Sequence, residues 1–325
     1  MHFPVVYVGT VSHYQLCAIT ARELGEDPLG SAPAPAAVVM LAVPYARWKH
    51  HREVSHMSPA VQDVVRSLAS VPTLLTLMPD PDYAPAGYVF AARLNRTYRG
   101  FHQQSFLIAE ANLEEAFIAL LQEDWDALSP WEIESPERML LVCTHGRHDS
   151  ACGKLGYPIY RHLREQASAG TQIWRSSHIG GHRFAPTLLD FPEGRSYGFL
   201  DQQTAEQILW QTGGTEQLRG HLRGYMGMPA FAQFLEGELF FQQGWSWTRT
   251  TRTLEVQALE GEITGKPFQQ KNPVQKAHIE ICAAGRLYQG TVVYQKTGQT
   301  VMNSGIVPLV EAHHYALQDW GEVPV

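Results

Sequence analysis

The chain is poor in cysteine, in basic runs and in long apolar stretches, and each shortage removes a class of protein. Four cysteines, Cys17, Cys143, Cys152 and Cys282, scattered over 325 residues make no disulfide framework and fit a reducing compartment better. Cys-x-x-Cys is absent, and no cysteine opens a Cys-x5-Arg loop, which argues against thiol chemistry of either familiar kind. The run 146–154 departs from phosphate-loop spacing and has Leu155 where Ser or Thr belongs. The longest apolar run, 36–43, is far short of the ~20 residues that cross a bilayer, so no membrane span is expected. Residues 1–10 lack the basic region and long apolar stretch of a secretory leader, and a cytoplasmic location is the expectation. With 25 basic against 32 acidic residues, a net charge of −7 and no basic stripe, nucleic acid is excluded as a partner. The size exceeds the about 250–300 residues at which one core stops growing, so two or three units are expected.

What the chain does have is one stretch in which soft metal ligands, glycines and helix signals coincide. It runs from Cys143, in Cys143-Thr-His-Gly-Arg-His-Asp-Ser-Ala-Cys152, to a second pair, His178-Ile-Gly-Gly-His182. The apolar run 139–142 reads as a buried strand that delivers Cys143 to a strand-to-loop junction. Leu155, Ile159 and Leu163 at helical spacing, stopped before Gly170, mark a helix over 153–166, and 172–177 reads as a second strand. Thiolate sulfur and imidazole nitrogen bind Zn²⁺, and two cysteines with two histidines also hold a [2Fe-2S] centre in which His replaces Cys on one iron. Zinc fingers space their first cysteines by two to four residues, whereas eight lie between these two. The longer loop favours the two-iron group, with Zn²⁺ as the alternative.

These residues carry a resemblance. Cys143-Thr-His-Gly-Arg-His-Asp with Cys152, then Trp174-Arg-Ser-Ser-His-Ile-Gly-Gly-His-Arg-Phe-Ala185 and Tyr197-Gly198, resemble the sucrase/ferredoxin-like family, relatives of thioredoxin-like ferredoxins. The likeness extends up to Cys17 and Gly25-Glu-Asp-Pro-Leu-Gly30, down to Arg223-Gly224, and fades after about Gly261. It implies a thioredoxin-like fold holding a [2Fe-2S] cluster by Cys143, Cys152, His178 and His182. Ala151 stands where relatives often carry a further cysteine, so that neighbour is not a required ligand.

The element order agrees with that fold. A first helix is expected over 13–24, a buried strand over 36–43, a helix over 58–69 opened by Ser58 and Pro59, and strands over 71–77, 88–92 and 104–108. A helix over 112–124 follows, and the segment after Met139 repeats the plan: strand, helix, strand, a hairpin over 184–200 turning at Pro192-Glu-Gly194, and a helix over 203–211. The expected fold is therefore α/β, with two thioredoxin-like lobes, 1–135 without ligands and 136–235 with the cluster, and a small β-rich region over 236–325. One larger mixed sheet is the alternative. A short helix over 228–235 precedes the β-rich region, in which 245–256, 278–282 and 289–294 alternate as strands.

Elsewhere the plain reading prevails. His50, His51 and His56 sit in a polar loop, Cys17 and Cys282 pack as small core residues, Asp80-Pro-Asp82 is a turn, and His313 and His314 point to opposite faces of a strand. His145, Arg147 and Arg183 are expected beside the ligands, the arginines either facing the cluster or pairing with carboxylates such as Asp149 or Asp190. The function expected is electron transfer, proton-coupled because a coordinated imidazole keeps a second nitrogen, with a reductase or electron acceptor as partner. An electron carrier or redox sensor is favoured over a catalyst with its own substrate. The alternatives are a zinc-stabilised binding module and a thiol-dependent enzyme using Cys143.

Overall fold

The computed structural model describes residues 7–10, 13–48, 56–67, 73–261 and 273–324. His50 and His51, Leu68 and Ala69 of the helix expected over 58–69, and the start of the strand expected over 71–77 lie outside them.

In chain order the elements begin with β1 (Tyr7–Thr10) and α1 (Cys17–Glu23). The first half continues with β2 (Ala37–Ala42), α2 (Pro59–Ser67), β3 (Thr73–Leu77), β4 (Tyr88–Thr97), β5 (Gly100–Ala109), α3 (Leu113–Gln122), the single turn α4 (Trp125–Leu128) and β6 (Glu132–Ile133). The second half repeats it with β7 (Arg138–Cys143), α5 (Ser150–Gln166), β8 (Thr171–Ser176), β9 (Leu188–Phe191), β10 (Arg195–Tyr197), α6 (Gln202–Trp210) and β11 (Leu222–Tyr225). After α7 (Ala232–Gln243) come β12 (Arg252–Glu260), β13 (Lys276–Ala283), β14 (Arg286–Val301) and β15 (Pro308–Val323).

The two halves share a topology. β2 and β3 run parallel with β4 and β5 added antiparallel beyond β2, and β7, β8, β9 and β10 reproduce that arrangement strand for strand. Each half is thus a thioredoxin-like βαβββα unit. They meet edge to edge, β3 against β8 antiparallel at Leu77 and Ser176, which makes one ten-stranded sheet in the order β11-β10-β9-β7-β8-β3-β2-β4-β5-β6. Two lobes and one large mixed sheet are therefore the same object.

Unbroken apolar runs build the centre: every residue of β2 is buried, and so are Met139 to Cys143 of β7, because strands covered on both faces need no polar alternation. Trp174 of β8 stacks on Phe90 of β4 at 4.9 Å, tying the halves together inside the core. A five-stranded antiparallel sheet, β1-β15-β14-β13-β12, is built from the four C-terminal strands with the N-terminal β1 added at the β15 edge.

Two local expectations fail. Trp245 to Arg249 form a 3₁₀ turn instead of a strand, so that Trp247 can bury its ring and donate from Nε1 to Glu236 at 3.0 Å. Cys282 is exposed, because the alternation of β13 turns Ala277, Ile279, Ile281 and Ala283 inward and leaves Cys282 on the outer face. No described helix is long and apolar enough to cross a membrane.

Candidate metal centre

Cys143 is the last residue of β7, and its amide donates to Thr187 O at 3.1 Å. The helix expected to begin at 153 begins at Ser150, so Cys152 lies in the first turn of α5. Asp149 caps that helix by accepting from Ala151 N at 2.8 Å. The close approach of α5 to β7 requires glycine: a Cβ at Gly156 would collide with the Cys143 carbonyl oxygen, and one at Gly153 with Gly146. β8 ends at Ser176 and releases the 178–182 loop, in which Gly180 and Gly181 have φ of 83° and 73°.

These elements bring the expected ligands together in two overlapping groups. Donor atoms of Cys143, Cys152 and His178 lie within 4.8 Å of one another, and so do those of His148, His178 and His182. Both cysteines are fully buried, His178 is 9% exposed and the His182 side chain 14%, so the imidazole end is the more open one. His148, from the loop before α5, stacks on His178 with ring centroids 3.7 Å apart.

The thiols share their protons unequally. Burial opposes ionisation of Cys143, but a hydrogen bond from Cys152, the His145 and Ile179 amides and the Thr187 hydroxyl outweigh it and hold Cys143 below the usual thiol range. Cys152 is pushed well above that range by its bond to Cys143 and by burial. Of the two, Cys143 is the thiol that ionises more readily and Cys152 the one that keeps its proton. Burial brings His182 down to about 4, more than Asp149 can offset, so at neutral pH it is an uncharged imidazole with a lone pair to offer. Its 3.5 Å approach to Asp149 Oδ2 is accordingly a contact with a neutral ring, not an ion pair.

The residues expected beside the ligands divide. His145 is fully buried, accepts the His178 amide on Nδ1 at 3.2 Å and so donates from Nε2 to Trp48 O at 3.1 Å; it fixes the His178 backbone. Arg147 turns away, donating to Ala46 O at 2.9 Å over the Tyr45 ring. Arg183 is buried and pairs with Glu26 at 2.9 Å, while Asp190 pairs with Arg138. Both carboxylate partners suggested for the arginines, Asp149 and Asp190, are thus otherwise engaged.

Three residues from distant segments complete the surroundings. Cys17 is buried as expected, but its Sγ lies 3.3 Å from His182 Nδ1 and 3.5 Å from Asp149 Oδ1, and burial pushes its thiol up to about 12. Ser304, between β14 and β15, donates to Asp149 from its amide at 2.8 Å and its hydroxyl at 2.6 Å. Burial would raise the Asp149 carboxyl, but Ser304 and the Ala151 amide hold it below the usual range. Arg223 of β11 lies under the His178–His182 loop and donates to Gly180 O at 3.0 Å. Cys17 and Arg223 entered the sequence reading only through the family resemblance and Ser304 not at all; all three reach the site through the tertiary fold.

Asp149 thus carries a cap, a link to the C-terminal sheet and a contact to His182. Asp149→Ala is expected to lower unfolding free energy by about 2–3 kcal/mol, a cap plus charge-assisted hydrogen bonds, and Asp149→Asn by less. Urea denaturation measures both, and equal losses would contradict this assignment.

The model for "Sucrase/ferredoxin-like" proteins matches residues 28–224, more than half of the chain, and the chain belongs to that family. The match takes in all four expected ligands and Arg223, and it leaves out Cys17 and Ser304. No curated protein matches. Among solved structures, a thioredoxin-like [2Fe-2S] ferredoxin from Aquifex aeolicus is 15% identical over 23% of this chain and 77% of that one, with a TM-score of 0.21. A cysteine-to-serine variant of an Aquifex aeolicus thioredoxin-like [2Fe-2S] ferredoxin is 16% identical over 22% of this chain and 81% of that one, also at 0.21.

Proposed function

We propose that the chain is an electron-transfer protein whose [2Fe-2S] cluster is held by Cys143, Cys152, His178 and His182. One observation carries the reading: the donors fall into two overlapping groups that share His178, with the thiols at one end and His182 at the other. Four ligands of a single tetrahedral zinc stand roughly 3.3–3.8 Å apart, given Zn–S and Zn–N bonds of about 2.3 and 2.0 Å. A set spread over two groups suits two metal ions better than one, and thiolate at one end with imidazole at the other is the donor chemistry of a mixed-ligand two-iron cluster. The chain's own contribution is to bury the thiols, to hold His178 by its amide and to leave the imidazole end accessible to a redox partner.

In this reading residues 1–135 form a ligand-free lobe, 136–235 the cluster lobe and 236–325 a β-rich region, and the four free cysteines fit a reducing cytoplasm. Anaerobically purified protein should contain two irons and two sulfides per chain and absorb visible light. A colourless protein with one zinc would replace this reading by a zinc-stabilised module. Because a histidine ligand retains a second ring nitrogen for a proton, reduction should take up a proton, and the potential should fall by about 59 mV per pH unit where one proton accompanies one electron. Replacing both His178 and His182 by Cys should lower the potential and flatten that slope in the neutral range. A wild-type potential independent of pH would refute the proton coupling.

A further inference from the structure

Five arginines are buried among the described residues: Arg93, Arg183, Arg195, Arg223 and Arg252. Four have a carboxylate. Arg93 pairs with Glu123, Arg183 with Glu26, and Arg195 and Arg252 both with Glu236. Arg223, 1% exposed, pairs with no carboxylate in the described residues. Its Nε donates to Ser31 Oγ at 3.0 Å, its Nη2 to Ser31 O at 2.7 Å and its Nη1 to Gly180 O at 3.0 Å, all neutral acceptors. An unpaired buried charge costs several kcal/mol even after relaxation, so a fold that retains one has an anion for it to face.

The geometry shows where that anion belongs. Gly180 lies between the two histidines, and the loop rests so closely on the guanidinium that a Cβ at Gly181 would come within 2.5 Å of Nη2. Among charged neighbours, Arg183 repels Arg223 and is already neutralised by Glu26, whereas the Cys143 and Cys152 sulfurs attract it when they carry negative charge, as metal ligands do. We propose that Arg223 is the built-in counter-cation of the site and sets its reduction potential, offsetting the negative charge that an added electron brings to the cluster as a whole. The inference rests on reading the site as a [2Fe-2S] centre. One electron enters from an external one-electron donor and no covalent bond is made or broken; a fixed positive charge in a buried setting favours the reduced state more than the oxidised one.

The test is potentiometric titration of the full-length, cluster-loaded protein, wild type against Arg223→Gln, Arg223→Lys and Ser31→Asp. Arg223→Gln should shift the one-electron equilibrium at least tenfold toward oxidation, a fall of 59 mV. Arg223→Lys, which keeps the charge but loses the forked hydrogen bonds, should recover more than half of that shift. Ser31→Asp leaves Arg223 in place and gives it a carboxylate, so its potential should also fall at least tenfold in equilibrium; this variant decides the matter if Arg223→Gln fails to fold. Raising ionic strength from 0.05 to 0.5 M, which shortens the Debye length to roughly a third, should leave the difference intact, because salt screens a buried charge little. The proposal is overturned if Arg223→Gln and Ser31→Asp both lie within threefold of wild type, or if Lys and Gln at 223 shift the potential equally. Absence of iron and sulfide from the wild-type chain would instead overturn the site reading, and this inference with it.

Discussion

Cys143→Ser and Cys152→Ser should each strip the protein of iron, sulfide and visible absorption and lower its stability by several kcal/mol. The reason is placement. Cys143 ends a strand buried from Met139 onward, Cys152 lies in the first turn of the helix packed against it, and the glycine contacts of α5 leave no slack for another donor to move in. Structural metal sites contribute up to about 10–16 kcal/mol of apparent binding free energy to the folded state, so loss of a ligand is felt well beyond the site. Metal analysis and thermal denaturation of both variants check this. Unchanged iron content in both would refute the ligand assignment.

Glu236→Gln should be the most destabilising conservative change away from the site. Glu236 is fully buried on α7, with Arg195 of β10 at 2.7 Å, Arg252 of β12 at 3.0 Å and Trp247 Nε1 at 3.0 Å. Removing the charge leaves two arginines facing each other in the interior, a loss of about 3–5 kcal/mol. Burial alone would raise the Glu236 carboxyl, but Arg195 and Arg252 outweigh it and hold it below the ordinary range. A carboxyl depressed in the folded state stabilises above its unfolded value, about 4.3, and that contribution is lost as pH falls through the folded value. Urea midpoints should therefore drop in acid for wild type and show a weaker acid limb for Glu236→Gln. Parallel pH profiles would remove Glu236 from the role.

The buried strands, most helices and the ligand stretch were legible because their signals are local. The run Ala37 to Ala42 cannot face water on either side, and Cys143, Cys152, His178 and His182 are brought together by one βαβ unit. What escaped is long-range. The pairing of Leu77 with Ser176 fuses the halves into one sheet, yet nothing in either strand's own pattern encodes it. Cys17, Ser304 and Arg223 reach the site from α1, the β14–β15 turn and an edge strand, so spacing along the chain could not announce them. Cys282 is different: its place on the same face as His278 and Glu280 was readable from the alternation of β13.

The antiparallel join of β3 and β8 makes the molecule a covalent dimer of two unlike copies. Because Leu77 faces Ser176 across the join, and those residues pair with Ala42 and Cys143 in their own halves, Ala42 is the mirror position of Cys143 under the local two-fold. Where the second copy ends its central strand on the thiol of Cys143, the first ends on the methyl group of Ala42. Strands that would otherwise offer open edges to a stranger are spent on each other, so the first copy serves as a permanent subunit that closes that edge of the second against self-association.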